Sequence, residues 1–118
     1  MNVEEIRQIC LAKKGVTEGF PFDDTTLVLK VGGKVFALLS LERNPWLNLK
    51  CDPEKAVDLR ERFEDITPGY HMNKKHWNSV RLEGSLPVSL VAELIEHSYQ
   101  LVYQSLPRKT KEEADSYE

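Results

Sequence analysis

The residue types most able to do chemistry concentrate in one stretch, Pro68-Gly69-Tyr70-His71-Met72-Asn73-Lys74-Lys75-His76-Trp77, which holds two of the three histidines and one of the two tryptophans. Lys74, Lys75 and the nearby Arg81 are placed to meet anionic oxygens, and His71, Asn73 and His76 carry donors suited to a phosphate or a base edge. Trp77 either anchors the stretch in the core or stacks on a base. In an extended chain alternate side chains share a face, which would put His71, Asn73 and Lys75 together with Tyr70, Met72 and Lys74 opposite. Core packing alone does not call for His, Asn and Lys in alternation. The block therefore reads as a recognition surface, with Pro68, Gly69, Tyr70 and Trp77 as its structural frame.

Reaction chemistry has no comparable signature. No G-x-S-x-G occurs, and Ser40, Ser79 and Ser85 lack a recognisable catalytic setting. Asp23-Asp24 and Glu64-Asp65 are sequence neighbours whose side chains diverge on a strand or loop, so neither makes an acid–base pair. His71 and His76, even with Cys51 or His97, match no zinc-ligand spacing. Gly32-Gly33-Lys34 lacks the second glycine spacing and the following hydroxyl of a phosphate loop. Cys10 falls on the apolar side of a helical pattern, where a free thiol is inert packing. The expectation is a non-enzymatic protein with no catalytic residue, no metal and no cofactor.

The elements that must position the block follow from local signals. Asn2 with Glu5 is a capping-box pattern, and Val3, Ile6, Ile9 and Cys10 then recur at helical spacing until Gly15. Phe20-Pro21-Phe22-Asp23-Asp24 is a loop. Leu27–Val31 and Lys34–Leu41 are strand-like, and the Gly32-Gly33 link between them is a hairpin signal because the tight turn needs positive φ twice. After Asn44-Pro45 comes a strand from Trp46 to Cys51. Asp52-Pro53 then opens a second helix, with Ala56, Leu59 and Phe63 buried and Arg60, Glu61, Arg62 and Glu64 facing water. Pro68-Gly69 reads as a turn, followed by a strand, a short connection and a strand from Trp77 to Leu82. Together they form a wing-like hairpin; a turn of helix at Asn73 to Trp77 is the alternative. Pro87 opens the longest helix, whose apolar face runs from Val91 to Val102, with His97 as a surface polar group. Pro107 ends it. Three helices with hairpin-linked strands make an α+β domain with a mainly antiparallel sheet over residues 1–107, and residues 108–118 read as a mobile charged tail.

Composition sets the broad class. The chain has 118 residues, 41% hydrophobic and 30% charged, which suits one soluble globular domain. Two cysteines without CxxC spacing fit a reducing compartment rather than a disulfide framework. The N-terminus lacks a signal-peptide pattern and the longest apolar run, Val35 to Leu39, is too short to span a bilayer, so a cytoplasmic protein without a membrane partner is expected. A monomer is expected. The net charge of −3 argues against strong phosphate-driven binding, while the basic stretch around Lys74 leaves room for a local patch.

Several segments carry a resemblance. Phe20-Pro21-Phe22, Lys30-Val31-Gly32-Gly33-Lys34-Val35-Phe36-Ala37, Leu49-Lys50-Cys51-Asp52-Pro53, Ser98-Tyr99-x-Leu101-Val102 and above all Thr67-Pro68-Gly69-Tyr70-His71-Met72-Asn73-Lys74-Lys75-His76-Trp77-Asn78 resemble the bacterial MmcQ/YjbR family. The likeness runs from about residue 2 to 106. It implies a "double wing" fold like that of the DNA-binding domain of a phage transcription activator, and hence double-stranded DNA as partner. In this reading Lys74, Lys75 and Arg81 contact phosphates, and His71, Asn73 and His76 donate to phosphate or base edges. The chain departs from the family pattern at Asp23, where glycine is usual, and at Ser79, where threonine is. The competing expectation is an interaction module that binds a protein or a small anionic ligand.

Overall fold

The computed structural model describes residues 2–69 and 72–116. Tyr70 and His71, which the sequence assigns to the binding block, lie outside the described residues. Helix α1 (Val3–Leu11) starts at the predicted capping box: the Asn2 side chain accepts from the Glu5 N–H at 2.9 Å, and the Glu5 carboxylate takes the Asn2 N–H. Gly15, at φ 77°, turns the chain into an edge strand that the sequence did not reveal, β1 (Val16–Gly19). Its Val-Thr-Glu-Gly sequence holds a single large apolar residue, too little for an alternation signal.

Strands β2 (Thr26–Val31) and β3 (Lys34–Ser40) form the expected hairpin, with φ 57° and 81° at Gly32 and Gly33. The register shifts between Leu29 and Lys30, leaving Phe36 as the extra residue of a bulge on β3. Its carbonyl oxygen accepts from the buried Ser98 hydroxyl at 2.6 Å, and the same Ser98 oxygen accepts from the Lys50 N–H at 2.9 Å. Strand β4 (Trp46–Lys50) leads into α2 (Pro53–Arg62), capped by Asp52 with Pro53 in the first turn as predicted. Strands β5 (Ile66–Pro68) and β6 (Trp77–Arg81) complete one six-stranded sheet in the order β1-β2-β3-β4-β6-β5, with every neighbouring pair antiparallel.

The strand expected after Pro68-Gly69 instead precedes the glycine. Pro68 ends β5, an edge strand, where a residue without an N–H is tolerated. The described residues also form four helices rather than three. Helix α3 (Val88–Ser105) lies across β3 and β4, with α1 packed on β1 and α2 on β5. Residues 108–116, expected within a mobile tail, form α4 (Arg108–Ser116). Its single apolar side chain, Ala114, is buried so close to Gly15 that a Cβ there would lie 2.8 Å from the Ala114 Cβ. The Tyr103 hydroxyl donates to the Asp115 carboxylate at 2.9 Å, tying α4 back to α3. The packed unit thus extends past the expected boundary at residue 107.

The core fills one side of the sheet. Leu29, Phe36, Leu39, Leu47, Leu49, Ile66 and Val80 meet Ile6, Leu59, Leu94, Ile95 and Tyr99 there. No helix among the described residues is long and apolar enough to cross a membrane.

Candidate functional site

The other face of the sheet carries a separate, smaller apolar cluster, and the register dictates which side chains stand on it. One row crosses all six strands, with Gly19, Val28, Leu38, Asn48, Ser79 and Thr67 as successive cross-strand partners. On one side of that row Thr17 stands opposite Lys30, and Lys50 opposite Trp77; on the other, Trp46 stands opposite Arg81. The face therefore holds both indoles and the cations Lys30, Lys50 and Arg81. Glu18 is the one acidic residue in any of the described strands, and it points the other way, paired with Arg7 of α1 at 2.7 Å. Hydrogen bonding to that guanidinium holds the Glu18 carboxyl below the usual range.

Trp77 is buried, as expected, with 9% of its surface exposed. It packs on this face with Val28 and Leu38, and Val35 and Met72 close over the cluster. Gly69 donates its N–H to the Trp77 carbonyl at 2.8 Å, and a Cβ at Gly69 would lie 2.7 Å from the Trp77 Cβ. That close approach accounts for a glycine at this position.

Between Met72 and Trp77 the chain makes a hydrogen-bonded turn rather than a strand. The Asn73 Oδ1 accepts from the Lys75 N–H at 2.9 Å, and the Asn73 carbonyl accepts from the His76 N–H at 3.2 Å. The His76 carbonyl accepts from the Cys51 N–H at 2.8 Å, fastening the turn to the end of β4. Arg60 is the residue the sequence misplaced. Expected to face water, it donates from Nε to the Asn78 Oδ1 at 2.6 Å and from its terminal nitrogen to the carbonyls of Lys74 and Trp77. Asn78 is itself buried on the helical side, between β6 and α2, so it offers Arg60 a fixed acceptor.

The expected site residues are thereby divided. Lys74 and Lys75 are exposed on the turn, and their side chains make no hydrogen bond or ion pair among the described residues. Asn73 is exposed, but its carbonyl oxygen is engaged in the turn; His76 is half-buried. Arg81 is exposed at the opposite end of β6, roughly 13 Å along the strand. There it lines a groove of about 660 Å³ with Trp46, Glu64, Asp65, Thr67 and Ser79. The sequence reading missed Trp46, Lys30 and Lys50. Strict alternation from the buried Leu47 and Leu49 was the signal that puts Trp46 and Lys50 on the opposite face.

Other candidates resolve into structure. Burial pushes the Cys10 thiol up to about 12, consistent with an inert core residue. Asp23 accepts the Thr25 and Thr26 N–H groups at 3.0 and 2.7 Å, starting β2, and those bonds hold its carboxyl low. His97 is half-buried rather than a surface group, and its Nε2 accepts from the Asp52 N–H at 3.2 Å. Among the described residues no three His, Cys, Asp or Glu side chains gather in a way that would hold a metal.

Fold and site together define a two-layer α+β domain with helices on one side of an antiparallel sheet and a basic, indole-bearing face on the other. The family model described as YjbR matches residues 11–101, and the chain belongs to the YjbR family. The Escherichia coli K12 protein YjbR is 37% identical over 112 residues, covering 94% of this chain and 95% of that protein. Bacillus subtilis YyaQ is 51% identical over 55 residues, 47% of this chain and 46% of that protein. Among solved structures, the Deinococcus radiodurans protein DR2400 is 39% identical with a TM-score of 0.89, over 99% of this chain and 92% of that one. A Pseudomonas syringae protein is 30% identical with a TM-score of 0.77, over 86% of this chain and 99% of that one.

Proposed function

We propose that this protein binds duplex DNA through the turn between β5 and β6, in the double-wing manner the family resemblance implies, as a binding protein without catalytic chemistry. The observation that carries the reading is the presentation of Lys74 and Lys75. Both are exposed and unpaired among the described residues, on a turn whose backbone is held by Arg60, Gly69 and Asn73. A turn ordered before binding loses less entropy on meeting a phosphate. Lys50, opposite Trp77 on the adjoining strand, adds a cation beside it.

The competing reading, a module for a protein or a small anionic ligand, draws on the net charge of −3. The 660 Å³ groove at the far end of β6 does not favour a small anion, because Glu64 and Asp65 line it. The net charge nevertheless limits affinity, which is expected to be about micromolar or weaker at physiological salt.

Titration of a labelled duplex at several salt concentrations tests the proposal. With about three phosphate contacts the slope of log K against log salt is expected near −2.7, roughly −0.9 per contact. Lys74→Ala with Lys75→Ala should reduce its magnitude by about 2 and weaken all sequences alike, since phosphate contacts carry no sequence information. Absence of duplex binding by the wild type even at low salt would overturn the proposal.

A further inference from the structure

Strands β4 and β6 carry one pattern twice. β4 reads Trp46-Leu47-Asn48-Leu49-Lys50 and β6 reads Trp77-Asn78-Ser79-Val80-Arg81, a tryptophan, a polar residue and a cation at alternate positions in each. Their antiparallel register sets Trp46 opposite Arg81, Asn48 opposite Ser79 and Lys50 opposite Trp77. The two strands are thus related by a local twofold through the Asn48–Ser79 pair, whose side chains are hydrogen-bonded. Each end of the motif places an indole beside the other strand's cation.

The two ends are filled differently. Over Trp77 the protein folds its own loop, and Met72 packs onto the cluster that leaves the indole 9% exposed. At the other end Trp46 is only half-buried and lines the 660 Å³ groove with Arg81. That volume lies within the range of small-ligand sites, about 300–1,000 Å³.

The lining specifies the occupant. Trp46 offers an aromatic face, and Arg81, whose side chain has no partner among the described residues, offers charged donors. Glu64 and Thr67 can accept N–H groups, while one Asp65 oxygen already takes the Ser85 N–H at 3.0 Å. Inorganic phosphate or sulfate has no ring for Trp46 and meets two carboxylates. A purely cationic ligand meets Arg81. A nucleotide of a single strand combines a flat ring, an N–H edge and one negative charge. Within a duplex that ring is stacked and out of reach, so the base must be unpaired.

We infer that the groove beside Trp46 holds an unpaired base of a single-stranded nucleic acid, stacked on Trp46 with its phosphate on Arg81 and its N–H edge toward Glu64. The site is separate from Lys74 and Lys75 and does not depend on the duplex reading.

The test uses the full chain and fluorescence anisotropy of a labelled mixed-sequence single strand of about ten nucleotides, within the span of single-strand sites, beside its duplex. Trp46→Ala is expected to weaken single-strand binding by roughly ten- to hundredfold, the effect of losing one base–aromatic stack. Trp46→Phe keeps a ring and should stay within several-fold of the wild type. Arg81→Gln should lower the single-strand salt slope by about 0.7. Where Trp46→Ala fails to fold, Trp46→Leu against Trp46→Phe gives the same contrast between an aliphatic group and a ring. The inference falls if the wild type does not bind the single strand, or if the ring-bearing and ringless variants bind it equally. Duplex binding is expected to depend on Lys74 and Lys75 and to ignore Trp46, so loss of either kind of binding without the other separates this inference from the proposed function.

Discussion

His97 joins α3 to the start of α2 by accepting the Asp52 N–H at Nε2, a bond only the neutral imidazole can make. Burial lowers its pKa first, and Lys55 lowers it further, against smaller opposing effects from Asp52 and Glu93. A depressed folded-state value means that the unfolded chain binds the proton more readily. Stability from this group is therefore complete above the unfolded value of about 6.5 and is lost as pH falls through the folded value. Melting temperature measured from pH 7.5 downward should fall below about pH 6.5. His97→Gln keeps an acceptor that does not titrate, and it should flatten that part of the profile. An identical profile in the variant would show that His97 is not the source of the loss. Arg60 acts at the same scale, since one guanidinium holds Asn78 and the carbonyls on either side of the turn's last residues. The lysines of the turn are free to meet a ligand because an arginine, and not they, satisfies its backbone.

At the scale of elements, α4 shows how a polar segment becomes part of a fold. Its Arg108–Glu112 pair is well exposed and adds little. What holds it is burial of Ala114 against Gly15, the Tyr103–Asp115 hydrogen bond, and Thr110 packed over Gly32. These contacts sum to about 1–3 kcal/mol at ordinary burial and hydrogen-bond magnitudes. Deleting residues 108–118 should therefore lower the melting temperature by several degrees, roughly 4 °C per kcal/mol for a domain of this size. A deletion with an unchanged melting curve would mean that α4 contributes nothing to the packed unit.

For the molecule as a whole, the net charge of −3 hides an uneven distribution. The described strands contain one carboxylate, which is turned to the helical side, while Lys30, Lys50 and Arg81 stand on the other face. An acidic chain can in this way offer a basic surface. The described acids and histidines do not converge on a metal position. A chelator should accordingly leave both the helical signal and the melting temperature unchanged, and loss of either on adding EDTA would reveal a structural ion.

What the sequence by itself determined is local. The Asn2–Glu5 capping box, the Gly32-Gly33 hairpin, the Asp52-Pro53 helix start and the buried stripe of α3 rest on neighbours within a few positions, and each was legible. So was the burial of Trp77 in a strand-like run ahead of Val80 and Leu82, although the face it occupies is opposite to theirs. Tertiary structure decided the rest. Strand β1 and helix α4 carry one large apolar residue and one alanine, so only packing against a finished core makes them regular. Arg60 looks like any exposed helical arginine until α2 is laid beside β6. Lys74 and Lys75 were separated from Arg81 by the length of that strand, which alternation within the block does not reveal. Trp46 became a candidate only when β6 was inserted between β4 and β5, because that ordering alone sets it opposite Arg81 and opens the groove between them.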